Sequence, residues 1–91
     1  MKKVFFYIGS NNKTKVLEVE KIEDIISKYF DGFTVFEVVG YWKGNKERTL
    51  KVEVITEEGA TVITRIAKEL KKELNQESIL VEILKSNCLF I

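Results

Sequence analysis

Tyr41, Trp42, Lys43, Lys46 and Arg48 crowd into one stretch, GYWKGNKER. Two large aromatics run into a Gly-Asn turn flanked by cations. A flat ring can stack on a planar ligand, and stacking on a base contributes about 1–3 kcal/mol. Arg48 and the lysines supply countercharge for an anion, arginine in the bidentate fork that suits phosphate. The same residues also make an ordinary hairpin, with Trp42 covering a sheet edge and the charges in water. Two further polar stretches are candidates. GSNNKTK, residues 9–15, falls after one element and before the next, where phosphate loops sit, and an anion could bind near Lys13 and Lys15. It lacks the second glycine of the G-x-x-x-x-G-K-[ST] pattern. NQES, residues 75–78, offers Gln76 and Glu77 as a polar connector or a hydrogen-bonding edge. The candidate ligand-binding residues are therefore Tyr41, Trp42, Lys43, Lys46, Arg48, Lys13 and Gln76.

The missing residue types narrow the chemistry further. The chain has 91 residues and no histidine. That removes the commonest general base, the Ser–His and Cys–His nucleophile pairs, and the commonest metal ligand. Cys88 is the single cysteine, so no intrachain disulfide can form, and a reducing cytoplasmic setting is expected. No base can be named for its thiol, which reads as a small buried apolar group. An enzyme built from this chain would rely on Lys, Tyr or a carboxylate, and no convergent set stands out. The expectation is a non-enzyme with no catalytic residues, no metal and no cofactor.

Net charge is +1, which gives no bulk attraction to nucleic acid or to a membrane surface. The opening MKKVFFYIG is too short an apolar run to span a bilayer and lacks the features of a signal peptide. With 45% hydrophobic and 32% charged residues, one small globular domain over residues 1–91 is expected, marginally stabilised by its own core.

The elements that must position the candidates follow from periodicity. Residues 3–8 are aromatic and β-branched, a first strand. Leu17 to Phe30 places Val19, Ile22, Ile25, Ile26, Tyr29 and Phe30 at helical spacing, and Gly32 suits the left-handed position after a helix. FTVFEVVGYW and RTLKVEVIT read as strands around the Gly44-Asn45 turn signal. Glu57 to Asn75 reads as a helix burying Ile63, Ile66, Ala67, Leu70 and Leu74, and ESILVEIL as a last strand. The order β-α-β-β-α-β predicts an α+β, ferredoxin-like sandwich: a four-stranded antiparallel sheet with both helices on one face.

The other face is left open, and the register of the central hairpin decides what occupies it. A two-residue turn at Gly44-Asn45 puts Glu37 on the helix side opposite Val52, where an unpaired carboxylate is costly. A three-residue connection, Gly44 to Lys46, sends Glu37 outward and is preferred. On that register the open face holds Phe5, Tyr7, Val35, Val39, Tyr41, Ile55, Leu80 and Leu84. So many apolar groups exceed the roughly 300–600 Å² patch typical of a monomer. With Phe90 from the apolar NCLFI ending, they form a candidate subunit interface of a closed homo-oligomer.

GFTVFEVVGYWKG resembles the second strand of the PII signal-transduction family, through Gly32, Thr34, Val35, Glu37, Val38 and Gly40. With YIG and NQESILVEI, it is also similar to a small bacterial family of unknown function. These resemblances imply a ferredoxin-like fold and a trimer. The long loop after the second strand of PII shrinks here to KGNKE, and its glycine-rich loop is replaced by NQES. The resulting expectation is a small oligomeric regulatory module of PII-like type, with a small anionic or nucleotide-like ligand between subunits. The alternative is a protein-interaction or decoy module, a virus-encoded protein that sequesters a nucleotide signal or a host factor included.

Overall fold

Val4, Phe6 and Ile8 alternate with Phe5 and Tyr7, so the first strand has one face to bury and one to leave out. In the computed structural model, which describes all 91 residues, that strand is β1 (Lys2–Gly9). It is followed by α1 (Val19–Ser27), β2 (Thr34–Trp42), β3 (Asn45–Thr56), α2 (Ala60–Glu73) and β4 (Leu80–Lys85). The strands form one sheet in the order β2-β3-β1-β4, and all neighbours are antiparallel. This is the ferredoxin-like arrangement expected from the element order. Val4, Phe6, Ile8, Leu50, Val52 and Val54 meet Ile22, Ile25, Ile26, Ile63, Ile66, Leu70 and Leu74 in one core. Each such side chain contributes about 1.5–3 kcal/mol by burial.

Both helices are shorter than their apolar periodicity. Leu17, Tyr29 and Phe30 pack on the core from outside α1, because packing against the sheet does not require helical backbone. Gly32 does not take the left-handed conformation, since α1 closes through Lys28 in ordinary helical geometry. Glu57 and Glu58 precede α2, which starts after Gly59. Its far end closes with Asn75 at φ 50°. The Gln76 N–H donates to the Lys71 carbonyl (2.9 Å) and the Asn75 N–H to that of Lys72 (3.4 Å), a Schellman closure.

The hairpin register differs from the one preferred above. Trp42 pairs with Asn45 around a two-residue turn, Lys43-Gly44. Both turn residues have positive φ (49° and 78°), the geometry that matches strand twist. Val35 pairs with Val52 and Glu37 with Leu50, so Val35, Glu37, Val39 and Tyr41 share the helix-side face. This is neither of the two registers weighed above, but it shares the helix-side Glu37 of the rejected one, and the burial penalty expected for that placement does not arise. β2 is an edge strand, and Glu37 is exposed there and accepts from Arg48 Nε at 3.0 Å.

The face assignments of Val35, Val39 and Tyr41 are thereby corrected; Phe36, Val38 and Trp42 take the open side in their place. Phe5, Tyr7, Ile55, Leu80 and Leu84 lie on the open face as expected. Phe90 lies beyond β4 and is 76% exposed. Lys51 sits in the middle of the open face with its ammonium 4.3 Å from the Phe5 ring centre, and Lys3 pairs with Glu53 at 3.2 Å.

Candidate functional site

The site forms where β1 and β2 end and β3 and β4 begin, because three connections converge there. The first is the loop after β1, organised around Asn11, which is 4% exposed. Its Oδ1 accepts from the Lys13 and Thr14 N–H groups (2.8 and 3.2 Å) and its Nδ2 donates to Glu18 (2.9 Å). The second is the Schellman end of α2. It aims Gln76 back at the loop, where its carbonyl accepts from the Gly9 N–H (3.2 Å) and its amide donates to the Ser10 and Leu74 carbonyls (2.8 and 3.1 Å). Asn75 adds a donor to Asn11 Oδ1 at 3.3 Å. The third is the hairpin tip. Trp42 Nε1 donates to Glu77 (2.8 Å), and Lys43 pairs with the same carboxylate (3.0 Å).

These ties enclose a cleft of about 400 Å³ lined by Tyr7, Tyr41, Trp42, Glu47, Thr49 and Glu77, among others. Its floor is shaped by two glycines. A Cβ on Gly9 would lie 2.5 Å from Glu47 Oε1, and one on Gly40 would lie 2.5 Å from Thr49 Oγ1. Gly9 thus lets the Glu47 carboxylate rest on the β1 backbone. Glu47 is half-buried and makes no hydrogen bond or ion pair, in contrast to Glu37, Glu53, Glu69 and Glu77. Thr49 is 7% exposed and has no side-chain partner, yet no buried polar side-chain atom in the protein is unpartnered. Its hydroxyl therefore opens on the cleft. The Trp42 and Lys43 hydrogen bonds, in that order, hold the Glu77 carboxyl below its ordinary value of 4.5.

A second cleft of about 430 Å³ adjoins the first and shares Asn12, Trp42 and Glu47 with it. Ser10, Asn45, Lys15, Lys46 and Arg48 complete its lining. The charged groups of the first cleft are Glu47 and Glu77; the second adds three cations to Glu47. The arrangement suits a ligand with an aromatic part and a zwitterionic part.

The structure brings most of the sequence candidates together and separates some. Tyr41, Trp42 and Gln76 line the first cleft, and Trp42, Lys46 and Arg48 the second. Gln76 is spent on backbone partners, so it builds the site and has no donor free for a ligand. Lys43 is occupied by Glu77. Lys13 lines neither cleft; Lys15, two residues on, lines the second. Sequence reasoning missed Glu47, Thr49 and Asn12 and placed Tyr7 only at an interface. Gly9 and Gly40, at the two strand ends beside the aromatic stretch, were the available signal. No His/Cys/Asp/Glu group that could hold a metal ion is present.

No protein-family model matches the chain, and no curated protein matches it. Solved structures do. A phage SAM lyase in the apo state matches 91% of this chain and 78% of its own, with a TM-score of 0.69 and 21% identity. A phage SAM lyase in complex with S-methyl-5'-thioadenosine matches 92% of this chain and 80% of its own, with a TM-score of 0.63 and 18% identity. At these identities the likeness establishes the shared fold. It also corrects the sequence reading, because these two structures are of a lyase and not of a PII protein. The expectations of a non-enzyme, of a PII-type regulatory module and of a decoy do not stand. The non-enzyme expectation rested on the missing histidine, and a reaction that needs no strong base is untouched by that absence.

Proposed function

We propose that the chain is a lyase acting on S-adenosylmethionine, with S-methyl-5'-thioadenosine as the nucleoside product. The observation that carries this reading is the unpartnered, half-buried Glu47 carboxylate at the junction of an aromatic cleft and a basic one, on the fold shared with phage SAM lyase. The substrate is a cationic, zwitterionic nucleoside. Its adenosine end suits the Tyr7 and Trp42 side of the first cleft. Its α-ammonium suits Glu47.

The reaction asks little of the protein as acid or base. The C–S bond to the amino-acid chain breaks, and its electron pair passes to sulfur and cancels the sulfonium charge. The substrate's own carboxylate oxygen closes on the carbon that sulfur leaves, giving a five-membered lactone. Atoms and charge balance without water or a transferred proton. Holding the reacting atoms in line supplies the acceleration. That fits a cleft with no histidine and no nucleophile–base pair. Glu47 orients the substrate through a charge that the reaction leaves unchanged.

The test is S-adenosylmethionine incubated with the protein, with S-methyl-5'-thioadenosine followed by mass spectrometry against the spontaneous rate. Release well above that rate is expected. Glu47→Gln should lower it roughly ten- to hundredfold, the worth of a hydrogen bond to a charged group. Release no faster than the spontaneous rate would overturn the reading.

Two features of the setting belong to the same proposal. The open sheet face closes on copies of this chain, as a homo-oligomer for which a trimer is the stoichiometry implied by the sequence resemblance. The support is its exposed apolar surface, treated at the molecular scale below. The lone Cys88 fits a reducing cytoplasm, and no helix is long and apolar enough to cross a membrane.

A further inference from the structure

We infer that the second cleft is the subsite for the substrate's amino-acid carboxylate, with Lys15 and Lys46 as its anion-binding pair. This rests on the lyase reading and adds the residues that distinguish the whole substrate from its nucleoside fragment.

Three observations meet here. The two clefts share Asn12, Trp42 and Glu47 as walls, so one extended ligand reaching past these residues would meet both. Their charges differ in sign, with Glu47 and Glu77 in one and Lys15, Lys46 and Arg48 around the other. Of these cations Arg48 is paired with Glu37, whereas Lys15 and Lys46 pair with no carboxylate in the protein. A pair of uncommitted ammonium groups on the wall of a polar cleft is the chemistry that receives a carboxylate.

The loop geometry brings Lys15 to this wall. Lys15 has φ 64°, and its N–H donates to the Asn11 carbonyl at 2.7 Å. Asn11 thus folds the loop back on itself. Lys46 comes from the hairpin, as the second residue of β3. Glu47, next to it, faces the shared boundary. An amino acid carries its ammonium and carboxylate on one carbon. Glu47 and both lysines line this cleft, so each charge of an amino acid meets its opposite there.

The reaction gives the subsite a kinetic signature. Lactone closure consumes the carboxylate's negative charge, so the lysines hold the ground state at least as strongly as the transition state. Contacts of that kind appear in KM more than in kcat.

The experiment compares two probes on the full chain. S-methyl-5'-thioadenosine has no amino-acid arm; S-adenosylhomocysteine has one. The variant is Lys15→Asn with Lys46→Gln. Both positions are exposed, and asparagine tolerates the positive φ of residue 15. Calorimetry should show the variant losing roughly tenfold or more in affinity for S-adenosylhomocysteine. Its affinity for S-methyl-5'-thioadenosine should stay within about twofold, which also shows that the variant folds. KM for S-adenosylmethionine should rise while kcat stays level or increases. If the wild-type protein binds both probes and the variant loses neither, or loses both equally, the subsite is overturned and the lyase reading stands. If the wild-type protein binds neither probe, the lyase reading falls and the subsite with it.

Discussion

Gly9 and Glu47 act as one unit, because the carboxylate occupies the space a side chain at position 9 would fill. The atom a new Cβ meets is the far end of a flexible side chain, so Gly9→Ala should displace Glu47 without breaking the sheet. The expected result is a roughly tenfold or greater loss of S-adenosylmethionine cleavage with a melting temperature changed by only a few degrees, read by the mass-spectrometric assay and by calorimetry. Gly40→Ala is the contrasting case. Its Cβ meets Thr49 Oγ1 at 2.5 Å and Thr49 Cβ at 3.4 Å. Thr49 is buried and β-branched, so it has few rotamers to escape to. A stability loss of about 1–3 kcal/mol is expected there. If Gly9→Ala unfolds the protein, or leaves the rate unchanged, Glu47 does not have the position argued for it. Little of this pair was legible in the sequence. Between Lys46 and Arg48, Glu47 reads as one more charge on a solvated hairpin. Only the pairing of β1 with β3 lays it over a distant glycine.

The elements were more legible than their joints. Alternation in Val4, Phe6 and Ile8, and helical spacing in Ile22, Ile25 and Ile26, are short-range patterns, so strands, helices and their order could be read directly. The hairpin register could not. It turned on whether Glu37 is covered, which depends on β2 lying at the sheet edge, a long-range property of the fold. The end of α2 was hidden for a similar reason, since asparagine at a left-handed position carries no glycine to announce it. That joint predicts a specific ranking. Asn75→Gly loses the hydrogen bond to Asn11 but keeps the backbone, whereas Asn75→Ala loses both. Alanine should be the worse by about 1 kcal/mol in chemical denaturation; equal effects would show that the Schellman closure does not matter. The latch between Trp42 and Glu77 predicts a pH response. The Glu77 carboxyl is held below its ordinary 4.5, first by the Trp42 N–H and then by Lys43. A lowered folded-state value stabilises the latch above 4.5, and the contribution is lost as pH falls through the depressed value. Tryptophan fluorescence should therefore change as pH is lowered below that range in the wild-type protein and stay flat there in Glu77→Gln. Because the pair is exposed, global stability should move little.

At the scale of the whole molecule, the surface is too large and too apolar on one side. The chain exposes 6139 Å², and a folded monomer of 10.6 kDa typically exposes roughly 5,500 Å². The excess is consistent with a sheet covered on one face only. Phe36 (42% exposed), Val38, Trp42, Leu80 (63%) and Leu84 (44%) stand on the open face beside half-buried Phe5, Tyr7 and Ile55. Burying such a patch between copies would release about 25 cal/mol per Å² of apolar area. Tyr7, Trp42 and Leu80 belong both to this face and to the first cleft. Closure of the face would therefore wall the cleft and exclude water from it, so assembly and activity should rise together. Light scattering at micromolar concentration should give a multiple of 10.6 kDa, three copies if the sequence resemblance extends to stoichiometry. Leu84→Glu separates the two effects, because Leu84 lies on the open face at the end away from the cleft. A charge there should shift the mass to monomer and lower the specific activity, and raising the protein concentration should restore part of both. Two outcomes would dissociate assembly from the site. One is a wild-type monomer with full activity. The other is a Leu84→Glu monomer that cleaves S-adenosylmethionine as fast as the parent. In either case the open face would be a surface the reaction does not use, and the cleft would be complete within one chain.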